Sequence, residues 1–149
     1  MTPKQHLIQL WRDSLPERFK DMKPYAYTDK TANGLTRMVM DWIKFNKGQS
    51  ERINVTGRFI NAKIITDVVG FKRQIGNDKW IKGSGTKGSA DISATIKGKS
   101  IKIEVKIGRD KMSEDQVKYQ EAIEKAGGIY YIAKDFDSFY EWYNKMFAV

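Results

Sequence analysis

Two short runs of alternating apolar and polar residues, joined by a Lys-Gly-Lys turn, constrain this chain more than any other feature. The first run lies within Ala90–Lys97 and the second within Ser100–Ile107. Side chains two residues apart lie on the same face of a strand, so the alternation predicts an antiparallel β-hairpin. Glycine at the first turn position favours a two-residue type II′ turn, here at Gly98-Lys99.

That turn predicts a register in which Ser93 lies opposite Glu104 and Asp91 lies opposite Lys106. Asp91 and Glu104 then become diagonal neighbours on the polar face, about 7–8 Å apart at the backbone. Two converging carboxylates are hard oxygen ligands for Mg²⁺ or Mn²⁺, and the carbonyl of Val105 would add another. Lys106 would lie close enough to orient or deprotonate a water, or to steady developing negative charge.

The same spacing also has a plain structural explanation. Cross-strand acid–lysine pairs are common on the solvated faces of antiparallel sheets. Between residues 72 and 111, eleven Lys/Arg stand against four Asp/Glu, a local net charge of +7. This basic surrounding favours a site for a polyanion, but the spacing alone leaves both interpretations open.

Apolar spacing assigns the remaining elements of the chain. Helices are predicted over residues 4–12, 31–45, 113–126 and 138–147, and a short apolar strand over 129–133. Residues 52–68 are predicted to be extended, and the glycine-rich stretch 70–88 to be a long loop or a ragged hairpin. This order predicts an α/β fold with a mixed sheet flanked by helices. We expect one domain over 1–149, with an N-terminal helical extension over 1–30 and the core over 31–147.

The charge of the chain points to a class of partner. Its 27 Lys/Arg and 18 Asp/Glu give a formal net charge of +9, and nucleic acid is the commonest polyanionic partner of such a domain. A membrane partner is disfavoured, because the lysines interleave with strand-like segments and do not line one amphipathic helix. Predicted contacts to the nucleic-acid backbone are Arg52, Arg58, Lys72, Arg73, Lys79 and Lys82, with Ser84, Thr86 and Lys87 of the glycine-rich loop. Each cation taken singly is better explained as an ordinary surface charge.

Missing residue types exclude several functions. Without cysteine there is no disulfide or cysteine–zinc site, and a reducing cytoplasm is the expected compartment. The one histidine, His6, lies far from every motif and is predicted at the surface, which excludes Ser-His-Asp chemistry. Gly83–Gly88 lacks the Gly-Lys-Ser/Thr of a P-loop, so no nucleotide cofactor is expected. No apolar run has the length of a signal peptide or a membrane span.

The hairpin residues resemble the signature of a nuclease superfamily. An acid at the start of one strand, Asp91, precedes Glu104-Val105-Lys106 on the next, as in the Asp … Glu-x-Lys pattern of PD-(D/E)XK nucleases. The lead GTKGSAD, the strand IEVK and the helix SEDQVKYQEAIEKAGG resemble the VRR-Nuc branch, which includes virus-type nucleases and is similar to Holliday junction resolvases. Gln116 matches the glutamine of the helix that follows the Glu-x-Lys strand. The resemblance covers residues 31–143.

This resemblance implies a restriction-endonuclease-like αβββαβ core and metal-dependent hydrolysis of phosphodiester bonds in DNA, including branched or flapped structures. Asp91 and Glu104 would hold Mg²⁺ or Mn²⁺, Lys106 would position the attacking water, and Gln116 would support that water or contact a phosphate. A homodimer is also implied. The chain departs from the pattern at Ala90, where proline is common, and on the first core helix, where Asn33 is nearest to the position of a frequent glutamate.

Other functions remain open at this stage. The same fold supports a nucleic-acid-binding protein without catalysis, or a nuclease directed at RNA. A glycosidase with paired carboxylates is disfavoured by the basic surroundings and by a lysine two residues after Glu104. Gln116 also completes a capping box with Ser113, which accounts for it without catalysis. Trp80 is predicted to anchor the core or a loop, with base stacking as the alternative.

Overall fold

The computed structural model describes residues 1–55, 57–83 and 85–147. The chain divides into two compact units, one made of Met1–Ile53 with Gly88–Val149 and the other of Asn54–Lys87. The longer unit contains the sheet, the four helices and the hairpin with the predicted carboxylates. The shorter unit, which we call the β-arm, contains two small ladders of strands.

Helices and strands fall close to the predicted positions, so the mixed α/β class is confirmed. The helices are α1 Pro3–Asp13, α2 Ala32–Phe45, α3 Glu114–Lys125 and α4 Phe136–Phe147, with a 3-10 helix over Glu17–Phe19. The strands are β1 Gln49–Arg52, β2 Arg58–Ile60, β3 Lys63–Thr66, β4 Lys72–Ile75, β5 Lys79–Ile81, β6 Ile92–Ile96, β7 Lys99–Val105 and β8 Ile129–Ala133. Within the described ranges, no helix combines the length and the apolar character needed to cross a membrane.

A mixed four-stranded sheet organises the longer unit. Its order is β1-β6-β7-β8, with β1 and β7 antiparallel to β6, and β8 parallel to β7. Without the β-arm, the element order from α2 onward is helix, three strands, helix and strand, followed by α4. Parallel strands require a crossover, and α3 supplies it between β7 and β8.

The apolar face of the sheet carries the core. Ile92, Ile96, Ile101 and Ile103 are fully buried there, as the alternation predicts. Helices α1, α2 and α4 contribute Leu7, Leu35, Trp42 and an aromatic cluster from α4 to the same core. His6 is half-buried, with its Nδ1 2.9 Å from the Tyr140 hydroxyl and its ring against Trp42, so its predicted surface position is wrong.

The turn of the hairpin differs from the prediction. Lys97 and Gly98 form the two-residue turn, with φ of 47° and 78°, and Ile96 pairs with Lys99. Positive φ at both positions is the type I′ geometry, whose twist matches the twist of paired strands. The predicted type II′ turn at Gly98-Lys99 and its register are therefore wrong.

The corrected register keeps the faces of the strands but changes the partners. Ile92 pairs with Ile103 and Ser93 with Lys102, so the pairing shifts by two residues. A shift of two restores the same alternation, and the carboxylates stay on the polar face. Asp91 and Glu104 become the next pair outward, directly opposite each other, and are not diagonal neighbours.

The β-arm is built from two antiparallel ladders, β2 with β5 and β3 with β4. Strands β2 and β3 confirm extended structure within the predicted stretch 52–68. The stretch 70–88, predicted to be a long loop or a ragged hairpin, instead supplies β4 and β5 as partner strands for β3 and β2. Among the strand residues of the arm, Ile60 is half-buried and all the others are exposed. Trp80 is 62% exposed, so its predicted place in a core is wrong.

The turn geometry predicts the effect of a substitution at Gly98. Gly98→Ala should lower the free energy of unfolding by about 1 kcal/mol, because a Cβ disfavours positive φ. Urea unfolding measures this loss, and Lys99→Ala, one residue outside the turn, is the matched control. An unchanged urea midpoint for Gly98→Ala would contradict the type I′ turn and the register that follows from it.

Candidate active site

The predicted catalytic residues meet at one end of the sheet. Glu104 and Val105 are the last residues of β7, Lys106 follows them, and Asp91 directly precedes β6. The Lys106 amide donates to the Ala133 carbonyl at the end of β8, at 2.9 Å. Because β7 and β8 are parallel, their carboxyl ends lie at the same edge, next to the first turn of α3.

Asp91 is held by hydrogen bonds from both neighbouring strands. Its Oδ2 accepts a hydrogen bond from the Val105 amide at 2.8 Å. Its carbonyl accepts one from the Ile53 amide, also at 2.8 Å. These contacts place the carboxylate across from Glu104, in agreement with the corrected register.

Glu104 is a buried carboxylate with one oxygen fully used and one left over. Only 2% of the residue is exposed. Its Oε1 accepts hydrogen bonds from Gln116 Nε2 at 2.5 Å and from Lys106 Nζ at 3.1 Å. Its Oε2 is buried and has no hydrogen-bond partner among the described residues. A buried charged oxygen without a partner is costly, so this atom marks where a ligand would bind.

Burial has opposite effects on the pKa values of Glu104 and Lys106. Burial first, and then the negative charge of Asp91, raise the pKa of Glu104. Burial alone would lower the pKa of Lys106, but hydrogen bonding and charge from Glu104, and then from Asp110, outweigh burial and raise that pKa. Lys106 therefore stays an ammonium at neutral pH, which suits it to stabilise negative charge and not to remove a proton.

Gln116 caps α3, as its capping box predicts, and also contacts Glu104. Its side-chain oxygen accepts from the Ser113 amide at 2.9 Å, and its own amide donates to Ser113 Oγ at 3.3 Å, which completes the capping box of α3. Its side-chain nitrogen is left to donate to Glu104. The predicted contact of Gln116 with a water or phosphate stays a prediction.

Gly88 allows the glycine-rich lead to approach the same helix start. It has a φ of 77°, and a Cβ there would lie 2.4 Å from the backbone of Asp115. Only glycine combines this conformation with such close contact. The lead to Asp91 and the first turn of α3 therefore pack directly against each other.

Arg52 lies on the other side of the sheet from the carboxylates. It pairs with Ile92, and its guanidinium donates to Asn33 Oδ1 at 2.8 Å. Arg52 and Asn33 line a pocket of about 530 Å³ beside the N-terminus of α2, together with Arg37 and Asp41. Asn33 thus contacts an arginine, and the pocket contains neither Asp91 nor Glu104.

The remaining predicted nucleic-acid contacts belong to the β-arm. Arg58 lies on β2, Lys72 and Arg73 on β4, and Lys79 on β5. Lys82, Thr86 and Lys87 follow β5, and Ser84 lies outside the described residues. The arm is a separate compact unit, so these residues form a group of their own.

Sequence patterns did not identify two residues next to the candidate site, Asp110 and Tyr130. Asp110 lies 3.4 Å from Lys106 Nζ and gives that lysine a second carboxylate. Tyr130 has a buried hydroxyl without a hydrogen-bond partner among the described residues, and burial first, then the charge of Glu104, raise its pKa. The signal for Tyr130 was its alternation within the apolar strand 129–133, whereas the loop position of Asp110 carried no periodic signal.

The donor set fits a small divalent cation. No group of three or more Asp, Glu, His or Cys side chains that could hold a metal is present in the described residues. Two carboxylates with a nearby carbonyl are nevertheless a usual protein share for Mg²⁺, which keeps several waters and takes further oxygens from substrate phosphates. The unpartnered Oε2 of Glu104 is the observation that favours such a ligand.

Comparison with known proteins identifies no family for this chain. The chain matches no protein-family model, and it matches no curated protein. The resemblance to PD-(D/E)XK nucleases therefore stays a prediction, and the geometry of Asp91, Glu104, Lys106 and Gln116 is what bears on function.

The double role of Gln116 predicts a measurable loss of stability. Gln116→Ala should lower the free energy of unfolding by about 1–2 kcal/mol, because it removes a cap and a hydrogen bond to a buried carboxylate. Gln120→Ala is the control on the same helix, since its side chain donates an exposed hydrogen bond to Glu124, and it should change stability by less than about 0.5 kcal/mol. Chemical denaturation measures both, and equal losses would contradict the buried contact.

Gln116→Glu tests the same contact through pH. The new carboxylate would face Glu104, so repulsion should destabilise the variant at neutral pH. As pH falls and a carboxyl of the pair is protonated, the difference from the unsubstituted protein should shrink. Thermal unfolding between pH 5 and 8 measures this, and a constant difference would show that the two side chains do not interact.

Proposed function

We propose that this protein is a Mg²⁺- or Mn²⁺-dependent endonuclease that hydrolyses phosphodiester bonds in DNA. The observation that carries the proposal is the buried Glu104 carboxylate, whose Oε2 lacks a partner and which stands opposite Asp91 and beside Lys106. The net charge of +9 supports a polyanionic substrate. On this proposal the sheet and its helices form a restriction-endonuclease-like core of the PD-(D/E)XK superfamily, in the VRR-Nuc branch.

The order of elements supports the proposed core. Without the β-arm, α2, β1, β6, β7, α3 and β8 follow the αβββαβ order, with the last strand parallel to its neighbour. In this arrangement the carboxyl end of β7 carries the Glu-x-Lys residues and the start of β6 carries the acid. Both positions agree with the pattern of the resemblance.

Each side chain of the site has a defined part in the proposed reaction. Asp91 and Glu104, with the carbonyl of Val105, would hold the cation. When bound, the cation supplies Lewis-acid activation of the phosphodiester and of water. Gln116 and Lys106 occupy Oε1 of Glu104, which fixes the carboxylate and leaves Oε2 for binding.

Lys106 contributes a fixed positive charge. Its ammonium is held between Glu104 and Asp110, and the raised pKa keeps it protonated. Such a preorganised charge stabilises the phosphate oxygens as they gain negative charge, and it orients the attacking water. Of the roles open to this lysine, stabilisation of charge is therefore favoured over proton removal.

The experiment that tests the proposal is a cleavage assay over several substrates. Plasmid, single-stranded, flap and four-way-junction DNA and a matched RNA are incubated with Mg²⁺, with Mn²⁺ and with EDTA. Metal-dependent cleavage of DNA is expected. Cleavage of RNA alone would identify an RNA-directed enzyme on the same fold, and binding without cleavage in either metal would identify a non-catalytic binding protein.

Isosteric changes of the carboxylates should abolish activity without unfolding the protein. Asp91→Asn and Glu104→Gln should each reduce the cleavage rate by at least about 100-fold, since loss of an outer partner alone costs 10–100-fold in metal sites. Glu121→Gln, on the exposed side of α3, is the control and should retain full activity. Retained cleavage in either site variant would contradict the assignment.

The same variants give a readout that is independent of catalysis. At Mg²⁺ concentrations of ten times the dissociation constant, binding should stabilise the unsubstituted protein by about 1.4 kcal/mol. Thermal unfolding with and without Mg²⁺ measures this, and Glu104→Gln should lose the increment. An equal increment in both proteins would place the cation elsewhere.

Lys106→Met separates turnover from binding. Methionine fills the buried space of the lysine stem but removes the charge, so single-turnover cleavage should slow far more than DNA affinity falls. Affinity is measured by fluorescence anisotropy with Ca²⁺ in place of Mg²⁺. Equal losses of rate and affinity would identify Lys106 as a clamp for the substrate phosphate.

A further inference from the structure

The β-arm exposes an unusual amount of apolar surface. Nine of the fifteen large apolar side chains that are exposed among the described residues lie between residues 54 and 87. They include Phe59 at 56%, Phe71 at 74% and Trp80 at 62% exposure. Exposed apolar clusters of this kind mark surfaces that bind another molecule, and short ladders without a core gain little stability of their own.

The charge of the arm indicates what that molecule is. The arm carries seven Lys/Arg against two Asp/Glu, a net charge of +5. Both acids accept hydrogen bonds within the arm. Asp67 accepts from the amides of Val69 and Phe71 in a turn, and Asp78 accepts from the amide of Ala62 across the two chain segments. A second copy of the arm would be repelled by like charge, whereas a polyanion would be attracted.

The arrangement of the side chains favours nucleic acid over a lipid surface. Four cross-strand pairs join a cation to an apolar residue, so each cation shares its face with an apolar neighbour; they are Arg58–Ile81, Ile60–Lys79, Lys63–Ile75 and Ile65–Arg73. A membrane-bound surface separates an apolar face from a charged one. Nucleic acid offers bases and phosphates side by side, which matches the interleaved pattern.

Phe59 and Trp80 form an aromatic pair suited to stacking. They lie directly opposite each other on β2 and β5, on the face away from Arg58 and Lys79. Gly57 lies against the indole of Trp80, and a Cβ at that position would come within 2.7 Å of the ring, so the absence of a side chain leaves room for the tryptophan. Lys82 follows two residues after Trp80, on the same side by strand alternation.

We propose that the β-arm binds the unpaired bases of a nucleic acid, with Phe59 and Trp80 stacking on bases, Lys82 beside them contacting a flanking phosphate, and the other cations of the arm attracting the strand through their charge. The inference rests on the proposed function only in taking nucleic acid as the substrate. It narrows the substrate class to strands with unpaired bases, such as single strands, flaps and open branch points. The binding requires neither the cation nor Asp91 and Glu104.

The test compares single-stranded and duplex DNA in the absence of cleavage. Fluorescence anisotropy of a labelled thymidine 20-mer and of a blunt duplex is measured with the full chain in EDTA. Trp80→Ala should weaken binding of the single strand roughly 10-fold and change binding of the duplex less than twofold. Phe19→Ala, an exposed aromatic outside the arm, is the control and should change neither.

Two further variants keep the test decisive. Trp80→Phe preserves a stacking ring and should retain most of the affinity for the single strand. This result would show that Trp80→Ala weakens binding through loss of the ring. Arg73→Ala should weaken the binding of both DNA ligands and reduce the slope of log affinity against log salt concentration by about 1. Equal losses for single strand and duplex in Trp80→Ala, or unchanged binding in every arm variant, would overturn the proposal.

The outcomes for the arm and for the active site are distinguishable. If DNA is cleaved but Trp80→Ala binds single strands as before, the arm proposal fails and the nuclease proposal stands. If the arm variants behave as expected but Glu104→Gln still cleaves, the proposed active site fails and the arm proposal stands. Binding of anionic vesicles in place of DNA, or a dimer that dissociates in Trp80→Ala, would also overturn the arm proposal.

Discussion

The buried carboxylate of Glu104 is the constraint on which the polar side of the sheet depends. A carboxyl group at 2% exposure needs hydrogen-bond partners, and the partners of Glu104 come from two segments. Lys106, which directly follows β7, donates to Glu104, and Gln116 donates to Glu104 from α3. The first turn of α3, its cap and the approach of Gly88 therefore all serve the placement of one side chain.

The hydrogen-bond partners of Glu104 satisfy only one of its two carboxylate oxygens. Two donors converge on Oε1, while Oε2 has none among the described residues. Burial, and then the charge of Asp91, raise the pKa of this carboxyl. A purely structural carboxylate would gain from a donor on each oxygen. The unequal distribution is the physical argument for a ligand, and it fits a cation better than another hydrogen-bond donor because Asp91 stands on the same side.

The longer unit and the β-arm divide the physical tasks of the chain. The longer unit holds the packed core and the carboxylates, and its apolar residues are buried. None of the described side chains of the β-arm is buried, and the arm carries over half of the net charge, +5 of +9. A unit with such composition contributes little to folding, which agrees with the proposed role of the arm in binding nucleic acid.

The sequence by itself determined most of the elements, the faces of the hairpin and four candidate residues, Asp91, Glu104, Lys106 and Gln116. The α/β class, the positions of the helices and the shared polar face of Asp91, Glu104 and Lys106 follow from periods of 3.6 and 2, which are local properties of the chain. The capping box of α3 is equally local. These predictions needed no knowledge of which segments meet in space.

Only the tertiary structure decided the register and the burial. The register depends on the left-handed conformation of Lys97, a non-glycine residue for which sequence gives weak warning. The burial of Glu104 depends on α3, which covers the strand face that alternation alone would leave to solvent. The contact of Asp110 with Lys106 and the exposure of Trp80 have the same origin, because packing between distant segments leaves no periodic trace in the sequence.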